Sequence, residues 1–351
     1  MNKRASATCA YHFGPSTSYV GGMASVIEML VTRHLGADKT IAVSTWVPGS
    51  HLKSGLLAMR AAALILRLPR STAVHVHMSE GGSFLREAAI VAAAKRRRLP
   101  RVITIHGPGF ADFSLRRPRL VGGVLRMASA ITVLSDVDLA AVQRLAPSIH
   151  TEIVPNPMPL DMAAGVVAET SEVVLFAGEV GLRKGADVLQ RAWETVAAQR
   201  PHATCVVVGP STDLQLPATE RLEVRGPVNA DQVKRLIREA RVIALPSRGE
   251  ALPMILTEAM AAGRPFVSTP TGGTASLAAG GLMVPVDDHQ AVASALIDLL
   301  ADPDHAQLLG NAGQRLCQER MSPEAIDARL RQLYGIESPG FAGGSRRPVA
   351  S

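Results

Sequence analysis

The chain is poor in the residues that mark several function classes. Aromatics make up only 3% of its 351 positions, too few for the stacking platforms that hold single-stranded nucleic acid. Three cysteines (Cys9, Cys205, Cys317) are odd in number and far apart. They form no disulfide framework and no metal spacing, which points to a reducing cytoplasm. No apolar run reaches the roughly 18 residues of a membrane span. The opening MNKRASATCAYHFG lacks the long apolar core of a secretion signal. There is no Walker A sequence, no Gly-x-Gly-x-x-Gly fingerprint and no Gly-x-Ser-x-Gly elbow. No His/Cys/Asp cluster has the spacing of a metal site, so no metal is expected.

What is present describes a globular protein: 47% hydrophobic and 19% charged residues, in a chain long enough for two domains. The net charge of +7 is unevenly placed. Residues 1–160 hold 19 Lys/Arg against 8 Asp/Glu, a net +11, and residues 161–351 hold 18 against 22, a net −4. The first half therefore favours an anionic partner or surface. Its basic groups are Arg60/Arg67/Arg70, Lys95–Arg98 with Arg101, and Arg116/Arg117/Arg119 with Arg126. The stretch Leu56–Leu68, LLAMRAAALILRL, has a helical pattern with Arg60 and Arg67 on one side. It fits a helix lying in a membrane interface, and equally a buried helix with two solvated arginines. No nucleic-acid recognition module is visible, so nucleic acid is not an expected partner.

Val- and Ile-rich runs alternate with Ala/Leu-rich helical stretches, which predicts α/β units with parallel sheets covered on both faces. In the first half, strands are expected near Ser6–Ala10, Thr40–Thr45, Ala73–His77, Arg101–His106, Ala130–Leu134 and Glu152–Val154, and helices over Met23–His34, Gly55–Leu68, Gly82–Arg97, Leu120–Met127 and Asp136–Leu145. The stiff irregular linker Val154–Pro159, VPNPMP, then interrupts the series. It restarts with strands near Glu172–Ala177, Ala203–Gly209, Leu222–Arg225, Val242–Leu245, Pro265–Ser268 and Gly281–Val284, and helices over Ala186–Ala198, Asp231–Glu239, Met254–Ala262, His289–Ala301 and Ala306–Arg320. The expected division is 1–157 and 158–322 as two facing Rossmann-like, doubly wound domains, 323–337 as a helix packing back on the first, and 338–351 as a disordered tail. Ligands of such sheets bind beyond the carboxyl ends of the strands, so two facing units put the site in the cleft between them.

The segment Pro246–Gly273, PSRGEALPMILTEAMAAGRPFVSTPTGG, is the most informative, and it is expected to close on a Pro-Phe-Val strand and a Gly-Gly turn. Pro253 suits the first turn of a helix. Free backbone N–H groups around Ala251–Ile255, including those of Leu252 and Met254, would point at an anion. Glu250 before the helix and Glu258 within it can accept from hydroxyls at either end of one extended ligand. Hydroxyls at both ends with negative charge between them describe a nucleotide-sugar. Taken singly, a helix-capping carboxylate and a solvated Glu fit as well. AGEVGLRKGA (Ala177–Ala186) follows a strand and opens a helix, with Arg183 and Lys184 where a diphosphate needs cations. Gly21 and Gly22 open the first helix and allow backbone N–H groups close to phosphate. His106 ends a strand in ITIHGPG, and His75 and His77 alternate in VHVHMSE. A solvated basic turn, a surface loop and satisfied core histidines are the plainer readings of these three.

Together, GG at 21–22, IHGPG at 105–109, VPNPMPLD at 154–161, AGEVGLRKGADVL at 177–189 and the Pro246–Gly273 segment resemble family 4 retaining glycosyltransferases of the GT-B fold. The resemblance runs from about residue 5 to 335. It implies a first domain for the acceptor and a second for the nucleotide-sugar donor, a UDP- or GDP-sugar. It further implies Glu250 on the donor sugar, Glu258 on the ribose, Lys184 on the diphosphate, Gly21 and Gly22 over the phosphates, His106 facing the reacting sugar, and Gly226 near the base. No metal or other cofactor is implied for the chemistry. The acceptor would be lipid-linked or a saccharide, as in polysaccharide biosynthesis, at the cytoplasmic face of an anionic membrane. The pattern departs from the family at Glu179, where Arg is usual, and at Ala251, where Gly is common. Arg183 is the residue placed to supply the missing charge. A degenerate transferase that binds the donor without turnover is the alternative, and a nucleotide-dependent epimerase or phosphorylase a third reading.

Overall fold

The computed structural model describes residues 8–18, 21–159, 162, 167, 170–219 and 221–335. The expected tail 338–351, positions 336–337, the first residues of the expected Ser6–Ala10 strand, and Leu160 and Asp161 of the linker motif lie outside the described residues.

Six strands, β1 (Cys9–Pro15), β2 (Lys39–Trp46), β3 (Thr72–Met78), β4 (Arg101–Ile105), β5 (Ala130–Val133) and β6 (His150–Ile153), form a first sheet. Its order is β2-β1-β3-β4-β5-β6, with every pairing parallel. Helices α1 (Gly22–Thr32), α2 (His51–Ile65), α3 (Gly82–Arg96), α4 (Phe110–Arg116), α5 (Pro118–Leu125) and α6 (Asp136–Leu145) connect these strands. A second parallel sheet is built from β7 (Val173–Ala177), β8 (Thr204–Val208), β9 (Leu222–Val224), β10 (Val242–Leu245), β11 (Phe266–Ser268) and β12 (Gly281–Met283). Its order is β12-β11-β10-β7-β8-β9. The helices here are α7 (Ala186–Gln199), α8 (Ala230–Glu239), α9 (Met254–Ala261), α10 (His289–Ala301) and α11 (Pro303–Met321). The last helix, α12 (Pro323–Tyr334), lies on the first sheet: Ile326, Leu330 and Tyr334 share one buried cluster with Ala73 and Val102.

The central strands are largely buried because helices cover both faces. Every residue of β3, β5 and β10 is buried. Helix starts follow from short polar side chains. Ser135 accepts from the Asp138 N–H at α6, and Asn229 and Gln232 form a reciprocal capping box at α8.

Three local expectations are corrected. The first strand was expected to end at Ala10, yet β1 runs to Pro15, because Tyr11–Phe13 pair on both sides with β2 and β3. Two-sided pairing outweighs the Gly-Pro break signal. A separate short helix, α4, forms where only Leu120–Met127 was expected to be helical. The Gly-Gly turn after β11 leads into a 3-10 helix, Gly272–Gly280.

Strand order reverses direction at one place in each sheet: between β1 and β3 in the first, and between β7 and β10 in the second. Loops diverge there and leave a crevice at the carboxyl ends of the strands. Both switch points carry polar side chains.

Candidate active site

At the second switch point two loops, 178–185 after β7 and 246–253 after β10, are bolted together. Gly185 has φ +72, and a Cβ there would stand 1.9 Å from the Pro246 carbonyl oxygen, so only glycine permits this approach. The Arg248 N–H donates to the Arg183 carbonyl at 2.8 Å, and the Arg183 guanidinium donates to the Gly249 carbonyl at 3.2 Å. Arg248 makes a two-pronged contact with Asp187 in the first turn of α7, at 2.8 and 2.7 Å, and a further ion pair with Asp287 at 2.6 Å. Hydrogen bonds from Arg248 hold the Asp187 carboxyl below its usual range against the opposing effect of partial burial.

Glu250 rises from this clamp and is 7% exposed. Its Oε1 receives Lys184 Nζ at 2.6 Å and Ser247 Oγ at 2.8 Å, and the Arg183 guanidinium stands 3.6 Å away. Arg183 also donates to Glu179 Oε2 at 2.8 Å. Burial separates the two contacts. Lys184 and Glu250 are 14% and 7% exposed, whereas Arg183 and Glu179 are 43% and 41% exposed. An exposed pair of the second kind is held by about 1 kcal/mol or less, so Arg183 is free to change partners. Breaking the first pair strands a buried charge. Behind Glu250, Gly272 has φ +53, and a Cβ there would lie 1.8 Å from the Glu250 carbonyl oxygen. The Gly273 N–H donates to the Ala251 carbonyl at 2.6 Å. The Gly-Gly pair is thus the backing plate of the Glu250 loop.

Ala251, Leu252 and Pro253 are buried and lead into α9. Pro253 was expected in the first turn and is instead the N-cap residue, with Met254 opening the helix. The first N–H groups of α9 have no intrahelical acceptor and present the positive end of the helix dipole. Glu258 stands half-buried in the following turn.

The first unit meets this loop directly. Gly21 is the N-cap of α1, and a Cβ on Gly22 would lie 3.8 Å from Met254 Cγ. The Asn156 side-chain amide donates to the Leu252 carbonyl at 3.4 Å. Gly226, at φ +69 beyond β9, accepts from the Gly209 N–H at 2.8 Å, and Gly209 in turn abuts the Gly178 carbonyl. That places Gly226 beside the Glu179 loop.

His106 follows β4 and its N–H donates to the Met78 carbonyl at 2.8 Å. Burial lowers its ring pKa to about 4. Its Nε2 lies 2.9 Å from His77 Nδ1, and His77 Nε2 lies 3.0 Å from His12 Nδ1. A cavity of about 20 Å³ is lined by His77, His106, Thr132 and Asn156, which links His106 to the residue that touches the Leu252 carbonyl. A larger cavity of about 310 Å³ lies away from these loops, lined by Val173, Thr204, Arg221 and Glu239.

The structure therefore gathers Glu250, Lys184, Arg183, Ala251, Leu252, Pro253 and Met254 at one place, with Gly21 and Gly22 opposite. Glu258 follows in α9, while Gly226 and His106 join through neighbouring residues. The sequence reading missed Ser247, which donates to Glu250 within its own loop, and Arg248 and Asp187, whose pairing joins separate segments. It also missed His12. Among the described residues His12, His75 and His77 bring ring nitrogens within 4.8 Å of one another, a cluster that linear spacing hid because it spans β1 and β3. The only early signal was the alternation of histidine with apolar residues.

Comparison with known proteins agrees with this architecture. Residues 171–302 match the family described as glycosyl transferases group 1. A D-inositol 3-phosphate glycosyltransferase of Xylanimonas cellulosilytica is 28% identical over 237 residues, 61% of this chain and 56% of that protein. A GDP-mannose-dependent monoacylated alpha-(1-6)-phosphatidylinositol monomannoside mannosyltransferase of Corynebacterium glutamicum is 27% identical over 48% of each chain. The chain spans about half the length of the curated relatives it matches. Among solved structures, sucrose-phosphate synthase from Thermosynechococcus elongatus superposes with a TM-score of 0.73 at 18% identity, covering 93% of this chain and 98% of that one. Anabaena HepE in complex with UDP and glucose gives 0.72 at 16% identity, with coverage of 93% and 99%. These likenesses show the fold. The chain has the GT-B fold, and its residues 171–302 match the glycosyl transferases group 1 family.

Proposed function

We propose that the chain is a retaining glycosyltransferase that moves a sugar from a nucleotide-sugar to a lipid-linked or saccharide acceptor, with no metal in the chemistry. The observation that carries this reading is the buried Lys184–Glu250 contact at the second switch point, facing the Gly21–Gly22 start of α1. One carboxylate and two cations within 3.6 Å match a ligand that presents hydroxyls beside a diphosphate. The similar Anabaena protein was solved with UDP and glucose, which supports a nucleotide-sugar of this kind.

In this reading Glu250 accepts from donor-sugar hydroxyls and Glu258 from the ribose. Lys184 lies along the diphosphate, and Arg183 joins it by leaving Glu179. The acceptor hydroxyl attacks the anomeric carbon on the face from which the diphosphate departs. The carbon–phosphate-oxygen bond breaks, the new glycosidic bond forms, and the hydroxyl proton passes to the departing phosphate oxygen. Cations fixed beside that oxygen stabilise charge that grows only as the bond breaks, so they lower the barrier rather than merely tightening binding.

The first unit supplies the acceptor side and a surface for an anionic membrane. Helix α2 buries Ser54, Ala61 and Ile65 yet leaves Leu52, Leu56 and Met59 exposed, continued by Leu66 at its C-cap. Lys53, Arg60 and Arg67 run beside that stripe and are exposed too. Neither a fully buried helix nor a polar outer face describes this. An apolar stripe flanked by three cations fits a bilayer interface, where each cation contributes about 1 kcal/mol against anionic lipid. Among the described residues no helix is long and apolar enough to cross a membrane.

The second reading, a donor-binding protein without turnover, is favoured by one observation: Glu179 places a carboxylate on Arg183 beside the diphosphate position. Incubation with UDP-, GDP- and ADP-sugars, with and without membrane extract, separates the two. Nucleotide release that persists in chelator and is lost in Glu250→Ala supports the transferase. Tight nucleotide binding without release under any acceptor supports the other.

A further inference from the structure

The first switch point holds a buried row of imidazoles. His12 on β1, His75 and His77 on β3, and Thr104 and His106 at the end of β4 share one sheet face, since each set differs by two positions and His12 pairs with His75 and His77 with Thr104. His77 stacks on His75 at 4.3 Å between centroids, and lies 5.3 Å from His12 and 5.2 Å from His106. His75 stands on its own branch, 2.6 Å from both Tyr334 Oη of α12 and Thr104 Oγ1. His12, His75 and His77 are at most 1% exposed.

Burial keeps all of these rings neutral: His12 is lowered to about 3, His106 to about 4, and His75 and His77 well below the ordinary value. A neutral imidazole has one N–H and one lone pair. In the row His12 Nδ1–His77 Nε2–His77 Nδ1–His106 Nε2, each contact needs one of each. A proton on His12 Nδ1 makes His77 accept at Nε2 and carry its own on Nδ1. That proton is donated to His106 Nε2, so His106 also keeps its proton on Nδ1. A proton on His12 Nε2 reverses every step. Any mixed arrangement sets two N–H groups or two lone pairs against each other in a dry interior, where an unmade hydrogen bond costs about 1–3 kcal/mol.

We infer that His77 and His12 are positioning residues that tie the tautomer of His106 to that of His12: whichever nitrogen His12 protonates, His106 protonates the same one. The free nitrogen of His106 has no partner among the described residues, and neither has His12 Nε2. The row therefore decides, from inside the first sheet, whether His106 offers the cleft a donor or an acceptor. Its value for turnover rests on the proposed role of His106 at the donor sugar. The tautomer itself does not.

Long-range ¹H–¹⁵N correlation spectra of the histidine rings, recorded on the full chain at pH 7.5, test this directly. The expected wild-type result is matching tautomers at His12, His77 and His106, in equal proportion at all three. His77→Phe should uncouple His106 from His12 and change its tautomer balance, while His12→Asn, whose amide can occupy the Nδ1 place, should disturb His106 less than His12→Phe does. Different tautomers at His12 and His106, or a His106 signal unchanged in a folded His77→Phe, would overturn the inference. The wild-type spectrum decides alone should the variants not fold. Added Zn²⁺ should leave these signals unmoved. A stoichiometric shift of His12, His75 and His77 together would replace the row with a metal site. In the nucleotide-release assay, His77→Phe should lose roughly tenfold in kcat with little change in KM, as when an orienting partner is removed. Spectra as expected without release from any donor would sink the transferase reading alone. Mismatched tautomers with normal turnover would sink the row alone.

Discussion

The two switch points of this molecule share a topology and differ in electrostatics. In the second sheet the crevice is lined by opposed full charges, Lys184 on Glu250 and Arg248 on Asp187. In the first it is lined by neutral rings hydrogen-bonded to one another. The contrast follows from burial. Charges survive beside the β7 and β10 loops because each has a partner within 2.8 Å. Among the described residues the histidines of β1 and β3 have no carboxylate partner, so burial removes their charge. In the function proposed above, one crevice grips an anion and the other reads hydroxyls.

The sharpest way to break that contrast is at Lys184. Lys184→Ala should lower nucleotide release by about 100-fold or more, the scale of losing a cation or donor aimed at developing charge. It should also lower Tm, since Glu250 stays buried without its closest cation. Unchanged release would remove the second crevice from the chemistry. Gly272→Ala should come next. The added methyl meets the Glu250 carbonyl and φ +53 disfavours it, so a loss of about 1–3 kcal/mol in unfolding free energy is expected. Gly21→Ala is its counterpart in the first unit: φ is extended and nothing lies within 4 Å of the new Cβ. Its Tm should hold, so that any activity lost reports a ligand approaching that backbone.

Acidity should separate the two units. Unfolded histidines take up protons near pH 6.5, whereas His12 and His106 in the fold resist to about 3 and 4. Over that window the unfolded state binds more protons, so stability is full above pH 6.5 and falls as pH falls. Glu87 opposes this. It is buried on α3, and its carboxyl is raised from 4.5 to about 7. The folded state keeps a proton that the unfolded state loses, so its contribution is full below 4.5 and is lost as pH rises through 7. His12→Phe should flatten the acid limb of Tm against pH, and Glu87→Gln the neutral limb. Trp46 lies on β2 and Trp193 on α7, so single-tryptophan variants report each unit separately. Acid unfolding seen first at Trp193 would contradict the contrast.

Much of the fold was legible because it rests on local patterns. α6, α10, α12 and β10 fall on the expected residues, since their caps and apolar periods are local. The α/β class and the GT-B architecture followed from the alternation and the motifs. Where the sequence misled, tertiary pairing had overruled a local signal. Gly14 and Pro15 read as a loop but are held as strand by β2. At the candidate site the charged residues could be named singly. Their pairing could not, because Arg248 and Asp187 are 61 positions apart and meet only once two loops are folded against each other. His12 was invisible for the same reason, 65 positions from His77.

The smallest expected effect concerns Glu179, and it bears on which of the two functional readings holds. Its pair with Arg183 is exposed at both ends and contributes about 1 kcal/mol or less. Removing the charge in Glu179→Gln should therefore leave Tm within a degree or two. It should still act on the site, because Arg183 also stands 3.6 Å from Glu250. Recruiting Arg183 in the wild type costs that surface pair, and 1 kcal/mol corresponds to a factor of about five in rate. Glu179→Gln should accordingly raise nucleotide release by a few-fold, with the gain shrinking at high salt as the pair is screened. A fall in release would mean that the carboxylate itself orients Arg183 or touches the donor, and the second crevice would then be a balanced network rather than a cationic grip weakened by one acid.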